Sequence, residues 1–275
     1  MTDALVSVIV PTRNSAPYLE RALASVRAQR YAPIELIVAD NHSQDGTVEI
    51  ARRLADTVIS IGPERSAQCN AAVRASRGKY VYRIDSDNVP DPEVVAAAVA
   101  ACEAGADAVQ VHNDSDPSIG YWAKVHNFER RMYRYDTVHV AARFWRRSAF
   151  DAVGGFDESL VAGEDYDLHN RLLRAGFRIA MIAPSEINIG EAASLREIAE
   201  KAFYYGRTVR PFFERNGARG IVQINPVRGA YLRHWRNFVA EPGLSAGFVL
   251  MQTVKYAAGA AGLAYELMRP SRRAL

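Results

Sequence analysis

Three acidic groups in this 275-residue chain stand where chemistry can be done, each beside an apolar run. Asp85-Ser86-Asp87 directly follows the apolar stretch 80–84. Ligands of open α/β sheets collect beyond the carboxyl ends of strands. Two carboxylates at i and i+2 on such a turn can converge on one hard divalent cation, Mg²⁺ or Mn²⁺, that keeps positions open for phosphate oxygens. The same pair also suits a simple turn into the next helix, because Asp favours turns. Asp40 closes the apolar run 34–39 and opens Asn41-His-Ser-Gln-Asp45-Gly46-Thr47. A carboxylate there can accept from a base N–H or a ribose hydroxyl, or can serve its own turn. Gly163-Glu164-Asp165 precedes an amphipathic stretch carrying Leu168, Leu172 and Leu173. Carboxylates in a first helical turn are favoured by the dipole, and one of them could equally act as general base for a hydroxyl.

The elements that must position these groups are readable from periodicity. Short β-branched runs alternate with helical patterns through the first half, the mark of a mainly parallel α/β sheet. Strands are expected at 6–10 (stopped by Pro11), 34–39, 58–61, 80–84 and 108–111. The helices between them are expected at about 17–27, 47–54 and 64–76, with a further one opened by Pro90 and Pro92. Leu19, Ala22, Leu23 and Val26 give the first helix an i, i+3, i+4, i+7 stripe. Beyond residue 111 the rhythm loosens: 120–136 is basic and aromatic, 138–144 and 177–182 read as strands, and 165–175 reads as a helix. From the capping box Ser194-Leu-Arg-Glu197 onward the pattern is all-helical, with further helices opened by Asn225-Pro226 and Pro242-Gly243. The expected organisation is a catalytic domain over 1–190, with a nucleotide-binding half 1–111 and an acceptor-binding half 112–190. A helical region over 191–275 follows.

Together these stretches resemble a family-2 glycosyltransferase of the GT-A fold over roughly residues 5–190. The resemblance is carried by Val8-Ile-Val-Pro-Thr-Arg-Asn14, Glu35-Leu-Ile-Val-Ala-Asp40 with Ser43-Gln-Asp-Gly-Thr47, and Asn70 with Arg77-Gly-Lys-Tyr80. Asp85-Ser-Asp87, Gly154-Gly-Phe-Asp157 and Gly163-Glu-Asp165 complete it. It implies that Pro11, Thr12, Asn14, Asp40, Arg65, Asn70, Asp85 and Ser86 surround the nucleotide. Asp87, with Asp85, would hold Mg²⁺ or Mn²⁺, and Asp165, with Glu164, would supply the catalytic base. The implied reaction is transfer, with inversion, from a UDP- or GDP-sugar to a hydroxyl of a glycan or lipid-linked acceptor. Two departures stand out. Glu186-Ile-Asn-Ile-Gly-Glu191 has no His where many relatives place a metal ligand, which leaves water or Asn188 for that role. Tyr204-Tyr-Gly-Arg207 replaces the Gln-x-x-Arg-Trp of processive synthases, so non-processive transfer is expected.

Other classes are poorly supported. Pro11-Thr-Arg-Asn14 lacks the glycines of a nucleotidyltransferase phosphate loop. The six His residues form no i, i+4 pair, and no GxSxG elbow is present. A net charge of +3 is mild, although Arg130, Arg131, Arg134, Arg143, Arg146 and Arg147 crowd one stretch and could meet phosphates or anionic lipid. A nucleic-acid binder needs a basic aromatic platform, which Tyr133-Arg-Tyr135 imitates only locally, so no nucleic-acid partner is expected. A weakly active glycan- or membrane-binding scaffold is the alternative that the missing His leaves open. Cys69 and Cys102 show no metal or disulfide spacing, and residues 1–10 show no signal peptide, which together suggest the cytoplasm. Residues 244–265 would form a helix of about 33 Å, near a bilayer core in length, yet Gln252 and Lys255 fall at its middle. The expectation is a helix over 243–268 at the inner membrane face, with Arg233, Arg236, Arg269, Arg272 and Arg273 on anionic headgroups. Packing on the catalytic domain, or on a second copy in a homo-oligomer, is the alternative.

Overall fold

A computed structural model describes residues 4–269; Arg272 and Arg273 lie outside the described residues. Eight strands form one mixed sheet in the order β3-β2-β1-β4-β7-β6-β8-β5. They are β1 (Val6–Thr12), β2 (Ile34–Asp40), β3 (Thr57–Ser60), β4 (Tyr80–Arg83), β5 (Asn88–Pro90), β6 (Ala108–Ser115), β7 (Ala142–Arg146) and β8 (Ile179–Asn188). The first half carries helices α1 (Ala16–Arg27), α2 (Thr47–Leu54), α3 (Arg65–Ala75) and α4 (Val94–Glu103). The middle holds α5 (Tyr121–Arg131), α6 (Arg147–Ala152) and α7 (Glu164–Arg174). The last part holds α8 (Leu195–Thr208), α9 (Arg210–Ile224), α10 (Gly229–Arg233), α11 (Trp235–Ala240) and α12 (Pro242–Met268).

The sheet has two characters. β3, β2, β1 and β4 run parallel, whereas β7 enters antiparallel between β4 and β6. Period-2 alternation divides the core between the faces. Val8, Val10, Leu36, Val38, Tyr80 and Tyr82 pack with Leu19, Leu23 and Val95 in one cluster. Ile9, Ile37, Ala39 and Val81 pack with Cys69, Val73, Leu168 and Leu172 in another. The expected stripe of α1 is fully buried.

Several boundaries differ from expectation for local reasons. β1 runs through Pro11 to Thr12. The Ile9 carbonyl accepts from Ile84 on the β4 side, and the Thr12 carbonyl from Asn41 on the β2 side. Alternation therefore turns the Pro11 nitrogen toward β4, whose register with β1 has already ended at Arg83, so the missing donor breaks no ladder bond. Residues 138–141 precede β7 rather than belong to it, because Asp136 accepts from the N–H groups of Val138 and His139 and holds them in a turn. Asn225-Pro226 follows a helix instead of opening one: α9 ends at Ile224.

The C-terminal helices wrap back onto the sheet domain. α12 packs against α8 and α5, around Val125, Phe128, Met132, Ile198, Phe248 and Met251. Gly206 of α8 leaves no room for a Cβ against the Gly259 carbonyl of α12, so the two backbones touch. The polar middle of α12 faces inward: Gln252 is buried and donates to Glu129 of α5 at 2.9 Å. Among the described residues no helix is long and apolar enough to cross a membrane.

Candidate active site

The carboxyl ends of β1 and β4, the start of α7 and the inner faces of α5, α8 and α12 enclose one cleft of about 750 Å³, within the range of small-molecule sites. Pro11, Thr12, Asn14, Arg65, Asp85, Ser86, Asp87 and Asp165 all line it, as does Asn188. Loop bonds fix its rim. Asn14, at φ +48°, donates its N–H to Ser43 and accepts from Gln44, and Ser15 shares a 2.8 Å hydrogen bond with Ser86. Asp45 caps two helices at once, accepting from the N–H groups of Ala16 and Thr47.

Three residues expected at the site do not line this cleft. Asp40 is 2% exposed and accepts from the Thr12 hydroxyl at 3.0 Å and from the N–H and hydroxyl of Ser43. It borders a separate hollow with His42, Gln44 and Arg52. Asn70 makes a two-way amide bond with the backbone of Phe156, tying α3 to the Gly154-Gly155 loop. Glu164 is buried against Arg65 at 3.4 Å and Arg83 at 3.8 Å. Burial raises its carboxyl above the usual range, with the two arginines opposing. Its neighbour Asp165 faces the cleft. Successive helical residues diverge by about 100°, so only one of the pair can do so.

Asp85 and Asp87 sit in opposite electrostatic settings. Asp85 accepts from Arg83 at 2.7 Å and Arg143 at 3.0 Å, with Arg65 at 3.7 Å. Burial works against its charge, but the three guanidinium groups hold the carboxyl well below its ordinary value. Asp87 is raised, by burial first and the Asp85 charge second, against a hydrogen bond from Asn188 and the charge of Lys201. Pairing of β5 with β8 places it there. Asn88 lies opposite Asn188, and the Ile189 N–H donates to the Asp87 carbonyl at 2.8 Å. Gly190 is required, because a Cβ there would come 2.7 Å from the Asp87 carboxylate. A second glycine, Gly163, starts α7 at φ +77° with its missing Cβ 2.6 Å from the Phe212 ring.

These oxygens suit a hard divalent cation. Asp87 is a desolvated carboxylate lacking a directly bonded cation, with a second carboxylate and an amide beside it. Among the described residues no three His, Cys, Asp or Glu side chains form a closed cage.

Other lining residues escaped the sequence reading. Tyr205 of α8 accepts from Arg65 at 3.0 Å, and Lys201 of the same helix faces Asp87 and Glu191. Of the six clustered arginines only Arg130 and Arg143 reach the cleft. Arg131 pairs with Glu241, Arg134 donates to the Ala183 carbonyl, Arg146 to the Ala106 carbonyl and Arg147 to Asp151. Lys255, expected at a membrane, points into the cleft with Arg228.

Known proteins share this architecture. The mannosyltransferase PcManGT of Pyrobaculum calidifontis, solved with GDP-Man and Mn²⁺, superposes with a TM-score of 0.63 at 20% identity, over 96% of this chain and 87% of that one. Succinoglycan biosynthesis protein ExoA of Rhizobium meliloti is 30% identical over 254 residues, covering 82% of this chain and 76% of that protein. Glycosyltransferase AglE of Haloferax volcanii is 29% identical over 226 residues, 75% of this chain and 74% of its own. The sequence profile of Glycosyl transferase family 2 matches residues 7–154. With more than half its length so matched, on a GT-A fold whose strand ends converge on one acidic cleft, the chain belongs to glycosyl transferase family 2.

Proposed function

We propose that the chain is an inverting, non-processive glycosyltransferase that uses a divalent cation and transfers one sugar from a UDP- or GDP-sugar to an acceptor hydroxyl on a glycan or lipid-linked glycan. The observation that carries this reading is Asp165. It is a half-buried carboxylate in the wall shared with Asp85 and Asp87, and among the described residues it accepts one hydrogen bond, from the Tyr166 N–H at 2.8 Å. One lone-pair set is thereby oriented and the other is left for an acceptor proton.

Asp87, with Asp85 and Asn188 beside it, would hold Mg²⁺ or Mn²⁺. Such a cation supplies charge neutralisation to a departing nucleoside diphosphate. The chain's own cations add to that field: Arg65 and Arg143 are fixed on Asp85, and Lys201 reaches in from α8. The acceptor oxygen forms its bond to the anomeric carbon as the bond to the diphosphate breaks, and the hydroxyl proton passes to Asp165. The Tyr204-Tyr-Gly-Arg207 segment of α8 supports single rather than repeated transfer.

Nucleotide release from a panel of UDP- and GDP-sugars, with Mn²⁺ or Mg²⁺ and neutral or anionic glycan acceptors, tests the reaction. Asp165→Asn is expected to lose about 10²–10⁴-fold in turnover while nucleotide affinity stays unchanged. Full turnover in that variant would remove Asp165 as base. Peripheral membrane contact at the cytoplasmic face is proposed for the outer side of α10 and α11. There Leu232, Trp235 and Val239 are exposed beside Arg233 and Arg236. The full chain should pellet with phosphatidylglycerol vesicles and not with phosphatidylcholine; equal recovery in both supernatants would withdraw the membrane.

A further inference from the structure

One wall of the cleft is built from α5, the turn before α10, and α12, and its charges are arranged unlike an ordinary ion-pair network. Glu129 is its central carboxylate and is almost fully buried. Its Oε1 accepts from the hydroxyls of Tyr133 at 2.9 Å and Tyr231 at 3.0 Å and from the Gln252 amide at 2.9 Å. Three neutral donors therefore satisfy one oxygen. The two cations nearest this carboxylate stay beyond hydrogen-bond reach, Lys255 at 3.7 Å and Arg228 at 4.0 Å.

Both cations line the cleft. The Arg228 guanidinium is oriented by its Nε donating to the Asn225 carbonyl at 3.1 Å and by stacking over the Tyr133 ring at 5.0 Å. Lys255 sits between Glu129 and Glu191, and Glu191 is already bound by Arg130 at 2.6 Å and by the Ser115 hydroxyl. Two positive groups thus face one open space with donor capacity that the neighbouring carboxylates do not use.

We propose that Lys255 and Arg228 form an anion subsite that seats a phosphate or carboxylate carried by the acceptor, separate from the hydroxyl that reacts at Asp165. This rests on the transferase reading above and narrows it: the acceptor is a hydroxyl compound with an anionic substituent. A reacting hydroxyl needs the base that Asp165 supplies, whereas the anion needs fixed cations and no base, so the two parts of the cleft divide the acceptor between them. A guanidinium and an ammonium suit either oxyanion.

The test titrates the full chain, saturated with nucleoside diphosphate and Mg²⁺, with inorganic phosphate and separately with acetate, by calorimetry. Phosphate or acetate is expected to bind at one site, and the stronger of the two names the substituent. Lys255→Met and Arg228→Met should each weaken that binding at least 10-fold with nucleoside-diphosphate affinity unchanged. Lys255→Arg, which keeps the charge, should retain it and so separate loss of charge from loss of packing. No heat from either anion in the loaded protein, or anion affinity in both Met variants unchanged from that of the parent chain, overturns the subsite and leaves the donor reading intact. Failure of the nucleoside diphosphate itself to bind would overturn the transferase reading beneath it.

Discussion

Asp85, half-buried at the strand ends, and Glu129, buried in the helical wall, are each a carboxylate among cations, and they are wired in opposite ways. Arg83 and Arg143 hydrogen-bond directly to Asp85, whereas Glu129 is satisfied by Tyr133, Tyr231 and Gln252 while Lys255 and Arg228 stand off. The first arrangement is closed. It spends the carboxylate on orienting arginines, and the neighbour Asp87 is left as the acidic group with capacity for a ligand. The second is open, and there the cations have the capacity. Direct pairing marks the group that organises a site; standing off marks the group that binds.

The largest expected effect tests the first half of that contrast. Asp87→Asn should lower transfer by about 10³-fold, on the order of 4 kcal/mol, by weakening the cation and diphosphate together. It should leave thermal stability unchanged or raised, because the native site already raises this carboxyl above its ordinary value and so gains nothing in stability from its charge. Asp85→Asn should instead lower stability by about 3 kcal/mol, since three arginines lose their shared counter-ion. Thermal melts and initial rates on both variants decide the matter. Equal destabilisation by the two would erase the distinction between organiser and ligand.

Glu129 tests the other half through acid stability. Burial opposes its charge, but Lys255, Arg228, His126 and the Tyr133 bond hold it down at about 2, from an ordinary 4.5. Between those two values the unfolded chain binds more protons, so this stabilisation is complete above pH 4.5 and fades as pH falls toward 2. Its full worth is about 3 kcal/mol. Glu129→Gln should remove that acid dependence in urea unfolding followed from pH 6 to pH 3. A profile as steep as that of the parent chain would show that the carboxylate lacks the proposed field.

Much of this contrast could be read from the sequence, and the part that could not has definite physical causes. The strand-end carboxylates follow apolar runs whose period fixes where a sheet opens, so Asp85, Asp87 and Asp165 were legible with Pro11, Thr12, Asn14 and Arg65. Residue pattern alone does not separate Glu164 from Asp165, and only the family resemblance prefers Asp165, because the choice depends on how α7 is rotated against Phe212. Asp40 and Asn70 carry polar side chains suited to ligands, and the fold gives them protein partners, Thr12 and Ser43 for Asp40 and the Phe156 backbone for Asn70. Arg143 is not separable by sequence from its clustered neighbours, because β7 enters the sheet antiparallel, four residues later than its apolar run implies. Lys255 was misread because hydropathy gives one value to a lysine at a lipid surface and to a lysine in a polar cleft. Only the packing of α12 on α5 and α8 separates the two.

α8 is the element that joins the regions, and its cap provides the smallest and cleanest test. Lys201 and Tyr205 project from it toward Asp87 and Arg65, while Gly206 seats it on α12. Its start is a variant of the capping box expected from the sequence, with the return bond shifted to the residue before the cap. Ser194 accepts from the Glu197 N–H at 3.2 Å, and Glu197 accepts from the Ala193 N–H at 3.0 Å. Ser194→Ala should lower stability by about 1 kcal/mol, a shift of roughly 2–4 °C in Tm for a domain of this size. Residue 194 touches neither half of the cleft, so nucleoside-diphosphate affinity and anion affinity should both stay within a factor of two, on the order of 0.4 kcal/mol. If fraying the cap weakens both affinities together, α8 couples the two regions as one moving part. If it weakens one alone, the helix serves that region and is only packed against the other.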